Sequence, residues 1–360
     1  MRRQRLWRLW WRRLIEYRRE RQRKMLLQWH ITERCNCQCT HCYQEHDKQN
    51  AEPDFKSLTA IVEQFKELLL NFDREGRATR GQITVTGGEP LIRDDFFELL
   101  ELFTGNRRYF DFAILTNGTL INGDIARRLK GLQPAFVQVS MEGTQSTHDK
   151  IRGAGNYGQT VEAIEHLVQA GVRTFISFTA HRGNFREFPH VAEAGCKLKV
   201  DKVWADRHIP MGQGAALKEE MLTPEETREF FMTMDSARQQ CSRRWFTKTK
   251  ISMERGLQFL VGGGRPYRCA AGSSLITVMP NGDVYPCRRM PIKVGNLVET
   301  SLLEIYQESP LLLELRNPPV SAGCEECKYA YICGGGLACL AFAAHGRHFV
   351  ADPGCWYAAR

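Results

Sequence analysis

The chain has 360 residues, 42 % hydrophobic and 25 % charged, enough to bury one large core and a smaller second one. No apolar run approaches the ~20 residues that span a bilayer, and the arginine-dense start lacks the apolar stretch of a secretory signal, so a cytoplasmic protein without a transmembrane segment is expected. The net charge of +9 belongs entirely to residues 1–24, where ten arginines and Lys24 face Glu16 and Glu20; the remaining body is neutral, and nucleic acid is not expected as a partner.

Within that basic segment Trp7, Trp10, Trp11, Leu14 and Ile15 fall on one helical face, which predicts an amphipathic helix over residues 1–27. It would pack its tryptophans on the body, dock an acidic peptide or partner, or lie on an anionic membrane surface, partner docking being the better of the last two. A strand-like stretch, Leu26–Thr32, then leads into Cys35-Asn-Cys-Gln-Cys39-Thr-His-Cys42. Helical pattern follows from Ser57 to Phe72, and a strand from Gln82 to Thr86 stops at Gly87-Gly88-Glu89-Pro90. The beat continues: helix Asp94–Phe103, strand Phe110–Leu115, helix Gly123–Leu132, strand Phe136–Ser140 ending in Met-Glu-Gly, helix Gln159–Ala170, strand Arg173–Thr179, helix Phe185–Ala194, strand Lys202–His208. Six alternations predict a parallel sheet with helices outside it, and such folds place chemistry at the C-terminal strand ends. Thr223-Pro224-Glu225-Glu226 is a capping box opening a helix to Arg244. Beyond Val261–Tyr267, where glycines and a proline interrupt the pattern, short strands and clustered cysteines take over.

Thirteen cysteines without an export signal point to metal ligation in a reducing compartment rather than to disulfides. Three thiolates at the spacing of Cys35, Cys39 and Cys42 can hold three irons of a [4Fe–4S] cube. No fourth cysteine follows at ferredoxin spacing, so one iron would stay available to another ligand. A structural zinc site is the alternative for such a loop. Cys37, between the ligands, is expected to point away from them, and Cys196 and Cys241 to be small buried hydrophobes.

The cysteine loop on the first strand, the Gly87–Pro90 turn on the second and the βα repeat together resemble the radical S-adenosylmethionine (SAM) enzymes over residues 28–210. The resemblance implies a partial (β/α)6 TIM-like barrel. It also implies that the free iron chelates SAM, which one electron cleaves to a 5′-deoxyadenosyl radical able to abstract hydrogen from an unactivated C–H bond. Residue by residue it assigns Gly87 and Gly88 to close approach of the methionine moiety and the turn bearing Glu89 to its amino group. His41 falls at the adenine. Asn117, Ser140, Ser177 and Arg207 fall at ribose or carboxylate. His148–Gly153 reads as mainly structural.

After Gly282-x4-Cys287, the run Cys324-x2-Cys327-x5-Cys333-x5-Cys339, with Cys269 before it and Cys355 after, resembles the SPASM extension of these enzymes, which holds two auxiliary [4Fe–4S] clusters. By that resemblance Cys324, Cys327, Cys333 and Cys355 complete one, and Cys269, Cys287 and Cys339 hold the other with one iron free. A pair of zinc knuckles is the alternative. The implied organisation is an N-terminal helix (1–27), a radical SAM core (28–210), a linking helical segment (211–264) and a SPASM domain (265–360).

SPASM enzymes mostly modify ribosomally made peptides, so a precursor peptide is the expected substrate. The chain resembles maturases of Nif11-type precursors, among them spliceases that excise a tyrosine-derived unit. Sulfatase maturases carry aspartate where this chain has Arg288. With only about twenty-eight residues before the core, too few for a packed leader-binding domain, a separate small recognition protein is expected, as is an external flavodoxin or ferredoxin donor. A haem-pathway enzyme gripping propionates through the arginines near Arg288, and a non-catalytic iron–sulfur scaffold, are the rival expectations.

Overall fold

The computed structural model describes residues 24–45, 52–75, 80–243 and 248–357; the expected amphipathic helix lies outside them up to residue 23. Strand β1 (Met25–His30) begins before the expected core boundary at residue 28. Helix α1 (Phe55–Arg74) is capped by Asp54, whose side chain accepts the Ser57 N–H, and buries Leu58, Ile61, Val62, Phe65, Leu68, Leu69 and Phe72 along one face. There follow β2 (Gly81–Thr86), α2 (Phe96–Gly105), β3 (Phe110–Thr116), α3 (Gly123–Leu132), β4 (Val137–Ser140), α4 (Gln145–Arg152), α5 (Asn156–Gln169), β5 (Thr174–Ala180), α6 (Phe188–Lys197) and β6 (Lys202–Arg207). Six predicted strands are present within a residue or two of their expected limits. Neighbouring strands from β1 to β6 pair in parallel. One strand face packs on the helices through residues such as Leu27, Trp29, Ile83, Val85 and Ile176, all fully buried. The alternate positions Gln28, Thr86, Gln138, Ser140, Ser177 and Trp204 line a cavity on the other face.

The sheet does not stop at residue 210. After α7 (Pro224–Ser242), whose Thr223–Glu226 capping box forms as expected, β7 (Lys250–Ser252) pairs in parallel with β6. It is too short for its sequence to show a strand period. On the opposite edge β8 (Leu275–Val278) pairs in parallel with β1, from Leu26 on Leu275 to Trp29 on Val278. β9 (Asp283–Tyr285) pairs antiparallel with β8, and β10 (Gly295–Asn296) antiparallel with β9, which completes ten strands among the described residues. The cysteine-rich third thus covers the β1 edge, whose backbone groups would otherwise lack partners. Cys196 on α6 and Cys241 on α7 are bonded to each other, where isolated buried thiols were expected; α6 packing on α7 brings together two residues 45 apart in sequence. Among the described residues no helix is long and apolar enough to cross a membrane.

Candidate active site

The loop after β1 carries Cys35, Cys37, Cys39 and Cys42 into the wall of a cavity of about 210 Å³ at the C-terminal strand ends. Backbone hydrogen bonds fix it from several sides: Gly88 N–H to Thr32 (3.0 Å), Glu89 N–H to Arg34 (2.8 Å), Thr40 N–H to Ile151 (3.0 Å) and Gly214 N–H to Cys42 (2.7 Å). A Cβ on Gly87 would stand 2.4 Å from the Thr32 carbonyl, and one on Gly88 2.1 Å from that of Arg34. The glycine pair therefore admits the cysteine loop itself. Glu89 does not reach the cavity. Fully buried, it accepts from the Thr116 hydroxyl (2.8 Å), Asn117 N–H (2.8 Å) and Leu91 N–H (3.2 Å), tying the end of β2 to that of β3.

The thiols differ. A hydrogen bond from Cys37, with the charges of Arg152 and His41, brings Cys39 down to about 5 against the effect of burial. Cys35 is lowered chiefly by Cys37 as well. Burial pushes Cys42 up to about 11. Cys37 was expected to face away, yet it lines the cavity with the other three, and its backbone N–H donates to Cys35 Sγ at 3.4 Å. Its sulfur also accepts from the Asn117 and Asn156 side-chain amides, each at 3.4 Å. Asn117 further donates to Asn36 (2.8 Å), so its amide serves the loop. Ser140 and Ser177 are paired neighbours on β4 and β5, and both line the cavity.

Arg152 and Glu142 belong to the site although the sequence did not mark them. Arg152, taken as structural, ends α4 with Nη1 3.7 Å from Cys39 Sγ and Nη2 2.6 Å from Glu142. Glu142, in the Met-Glu-Gly at the end of β4, also accepts from Thr179 N–H (2.9 Å) and lies 3.1 Å from His41 Nε2. Burial alone would raise its carboxyl; Arg152 and His41 instead hold it below the usual range. The visible signal was an acid at a strand end beside the cysteine loop. Arg207 departs from its expected role. It borders the cavity, but both Nη atoms bond Asp352 at 2.7 and 2.6 Å, in a pair 5 % and 0 % exposed. Its charge is committed to the C-terminal third.

In that third, Cys324, Cys327, Cys333 and Cys355 line one small cavity with Asp352, Tyr329 and Tyr357. Cys269, Cys287 and Cys339 share an apolar nest with Ile209, Ala271, Met290, Leu337 and Leu340. Desolvation raises Cys324 to about 11, Cys333 to about 12, and Cys287 and Cys339 as well.

A profile of the radical SAM superfamily matches residues 29–194, and one of the iron–sulfur cluster-binding SPASM domain matches residues 269–328. The chain belongs to the radical SAM enzymes with a SPASM domain. It is 28 % identical to the AdoMet-dependent heme synthase of Oleidesulfovibrio alaskensis, over 93 % of this chain and 88 % of that protein. It is 27 % identical to the mycofactocin maturase of Mycobacterium ulcerans, over 88 % and 82 %. Its fold superposes on native anSMEcpe with bound AdoMet and Cp18Cys peptide at a TM-score of 0.73, with 20 % identity, over 92 % of this chain and 93 % of that one. The cofactors of this radical SAM enzyme are [4Fe–4S] clusters and SAM. The residues present fit such groups. Three cysteines share one wall, and the Nδ1 atom of His41, in the same wall, is buried without a partner.

Proposed function

We propose that this radical SAM/SPASM enzyme modifies a ribosomally synthesised precursor peptide by abstracting hydrogen within the cavity described above. The observation that carries this reading is the composition of the cavity. One wall is the Cys35–Cys42 loop, and the other includes Asp206 and Arg289, the latter from the cysteine-rich third, so a substrate lies between the two domains. The peptide bound by the anSMEcpe neighbour supports it. When bound, the cluster and SAM supply one-electron cleavage of the sulfonium and the hydrogen abstraction that follows. Cys35, Cys39 and Cys42 would hold the iron. Arg152, set by Glu142, offers a guanidinium beside Cys39 for the SAM carboxylate, with the Ser140 and Ser177 hydroxyls as further donors. His41 would offer Nδ1 to the adenine. Gly87 and Gly88 keep the wall bare of side chains. Cys324, Cys327, Cys333 and Cys355 would hold one auxiliary cluster and Cys269, Cys287 and Cys339 the other. A separate leader-recognition protein and a flavodoxin or ferredoxin donor complete the proposal.

A second reading has one observation in its favour: Arg289 in the cavity wall suits a propionate-bearing tetrapyrrole, and a heme synthase is among the relatives. The test is anaerobic incubation of reduced, reconstituted protein with SAM, then co-expression with a short peptide encoded beside it. Release of 5′-deoxyadenosine and a changed peptide mass are expected. A mass loss matching a tyrosine-derived unit marks splicing, and loss of hydrogen alone marks a crosslink. An unchanged peptide together with a decarboxylated tetrapyrrole overturns the peptide reading.

A further inference from the structure

The turn after β9 places Arg289 two residues beyond Cys287, in the cavity wall near the end of β6. Its Nη1 lies 2.6 Å from Asp206 Oδ2. The same oxygen receives Arg255 through Nε at 3.0 Å and Nη2 at 2.9 Å, while Oδ1 accepts the Arg207 N–H at 3.1 Å. One carboxylate thus stands between two guanidinium groups, and one positive charge is left over. Arg207 does not alter that balance, because Asp352 neutralises it. Nor does Arg255 present the surplus, since it approaches Asp206 through two nitrogens and lies over the rings of Trp204 and Tyr267 at 5.1 and 5.3 Å. The surplus falls on Arg289, because it lines the cavity and Arg255, although 31 % exposed against 23 % for Arg289, does not. A guanidinium carries five N–H donors in a planar fork matched to a carboxylate, and among the described residues Asp206 is its one hydrogen-bond partner.

We propose that Arg289, oriented by Asp206, binds a carboxylate of the substrate, at a subsite distinct from the one Arg152 forms beside Cys39. This rests on the reading of the cavity as the substrate cleft and adds to it the chemical group that the substrate must present. A peptide terminus and a tetrapyrrole propionate are the two sources of that group. The competing explanation is that Arg289 only offsets the thiolates of Cys287 and Cys339.

The experiment is equilibrium binding to the anaerobic, cluster-loaded protein with SAM and no reductant. One probe pair is iron coproporphyrin and its methyl ester, followed by Soret absorption. The other is N-acetyltyrosine and its amide, followed by ligand-observed NMR. The wild-type protein is expected to prefer the acid in at least one pair by about tenfold or more. Arg289→Gln removes that preference, and Arg288→Gln, which deletes the neighbouring charge over Tyr43, retains it. A preference confined to the porphyrin pair assigns a tetrapyrrole, and one confined to the tyrosine pair a peptide carboxylate. Absence of preference in both pairs, or a preference that survives Arg289→Gln, overturns the proposal. Should Arg289→Gln lose iron, Arg289→Lys keeps the charge beside the thiolates but loses the fork. An undiminished preference in that variant is equally fatal. Binding requires no turnover, so failure here is separable from failure of the peptide reading, which 5′-deoxyadenosine release and peptide mass decide.

Discussion

Glu89 was legible as a turn residue, but its chemistry was not, because burial depends on what packs around the turn. Desolvation raises its carboxyl to about 7, opposed by the donors from Asn117, Thr116 and Leu91. The folded state therefore holds this proton more tightly than the unfolded chain does. The stabilisation is complete below the ordinary value of 4.5 and is lost as pH rises through about 7, by about 3 kcal/mol. Glu89→Gln has no proton to lose, so its denaturation midpoint is expected to fall less than the wild type's between these pH values; parallel denaturant titrations across the range check this. Arg152 shows the opposite limit. Nothing in His148–Gly153 marks an anion site, yet the end of α4 sets the guanidinium between Glu142 and Cys39. Arg152→Gln is expected to weaken SAM binding by about tenfold or more, as measured by equilibrium dialysis without turnover.

Elements were the most readable level. The strand–helix beat from β1 to β6 follows from alternating and 3.6-residue apolar periods, and the capping box of α7 was visible as four letters. Thr223 Oγ1 accepts the Glu226 N–H at 3.2 Å, and the Glu226 carboxylate accepts the Thr223 N–H at 3.0 Å. Thr223→Ala should cost about 1 kcal/mol, seen as a lower thermal midpoint. Where an element is only three residues long, as β7 is, no period exists to read. Where a strand is defined by its partner, as β8 is by β1, the partner had to be seen.

At the scale of the molecule, Arg207 and Asp352 join the core to the cysteine-rich third. Asp352 also accepts the Leu337 N–H at 3.2 Å and the Gly354 N–H at 2.9 Å, next to the chain segments bearing Cys339 and Cys355. Removing one partner of a buried pair strands the other charge, so Asp352→Ala should cost about 3–5 kcal/mol. Loss of iron from the C-terminal third is expected with it. Adding Arg207→Ala should restore part of the stability but not the iron; thermal melts and iron analysis of the single and double variants test both expectations.

The cysteine spacing, the glycine turn and the periodicity were enough to determine the fold class and to mark the candidate cofactor loop, because each is set by neighbours within a turn or a strand. Folding in three dimensions decided the rest. It turned Cys37 inward, bonded Cys196 to Cys241, gave Arg207 to Asp352 across 145 residues, and set Arg289 against Asp206 across 83. These outcomes depend on which surfaces meet when helices and domains pack, and no local spacing records that.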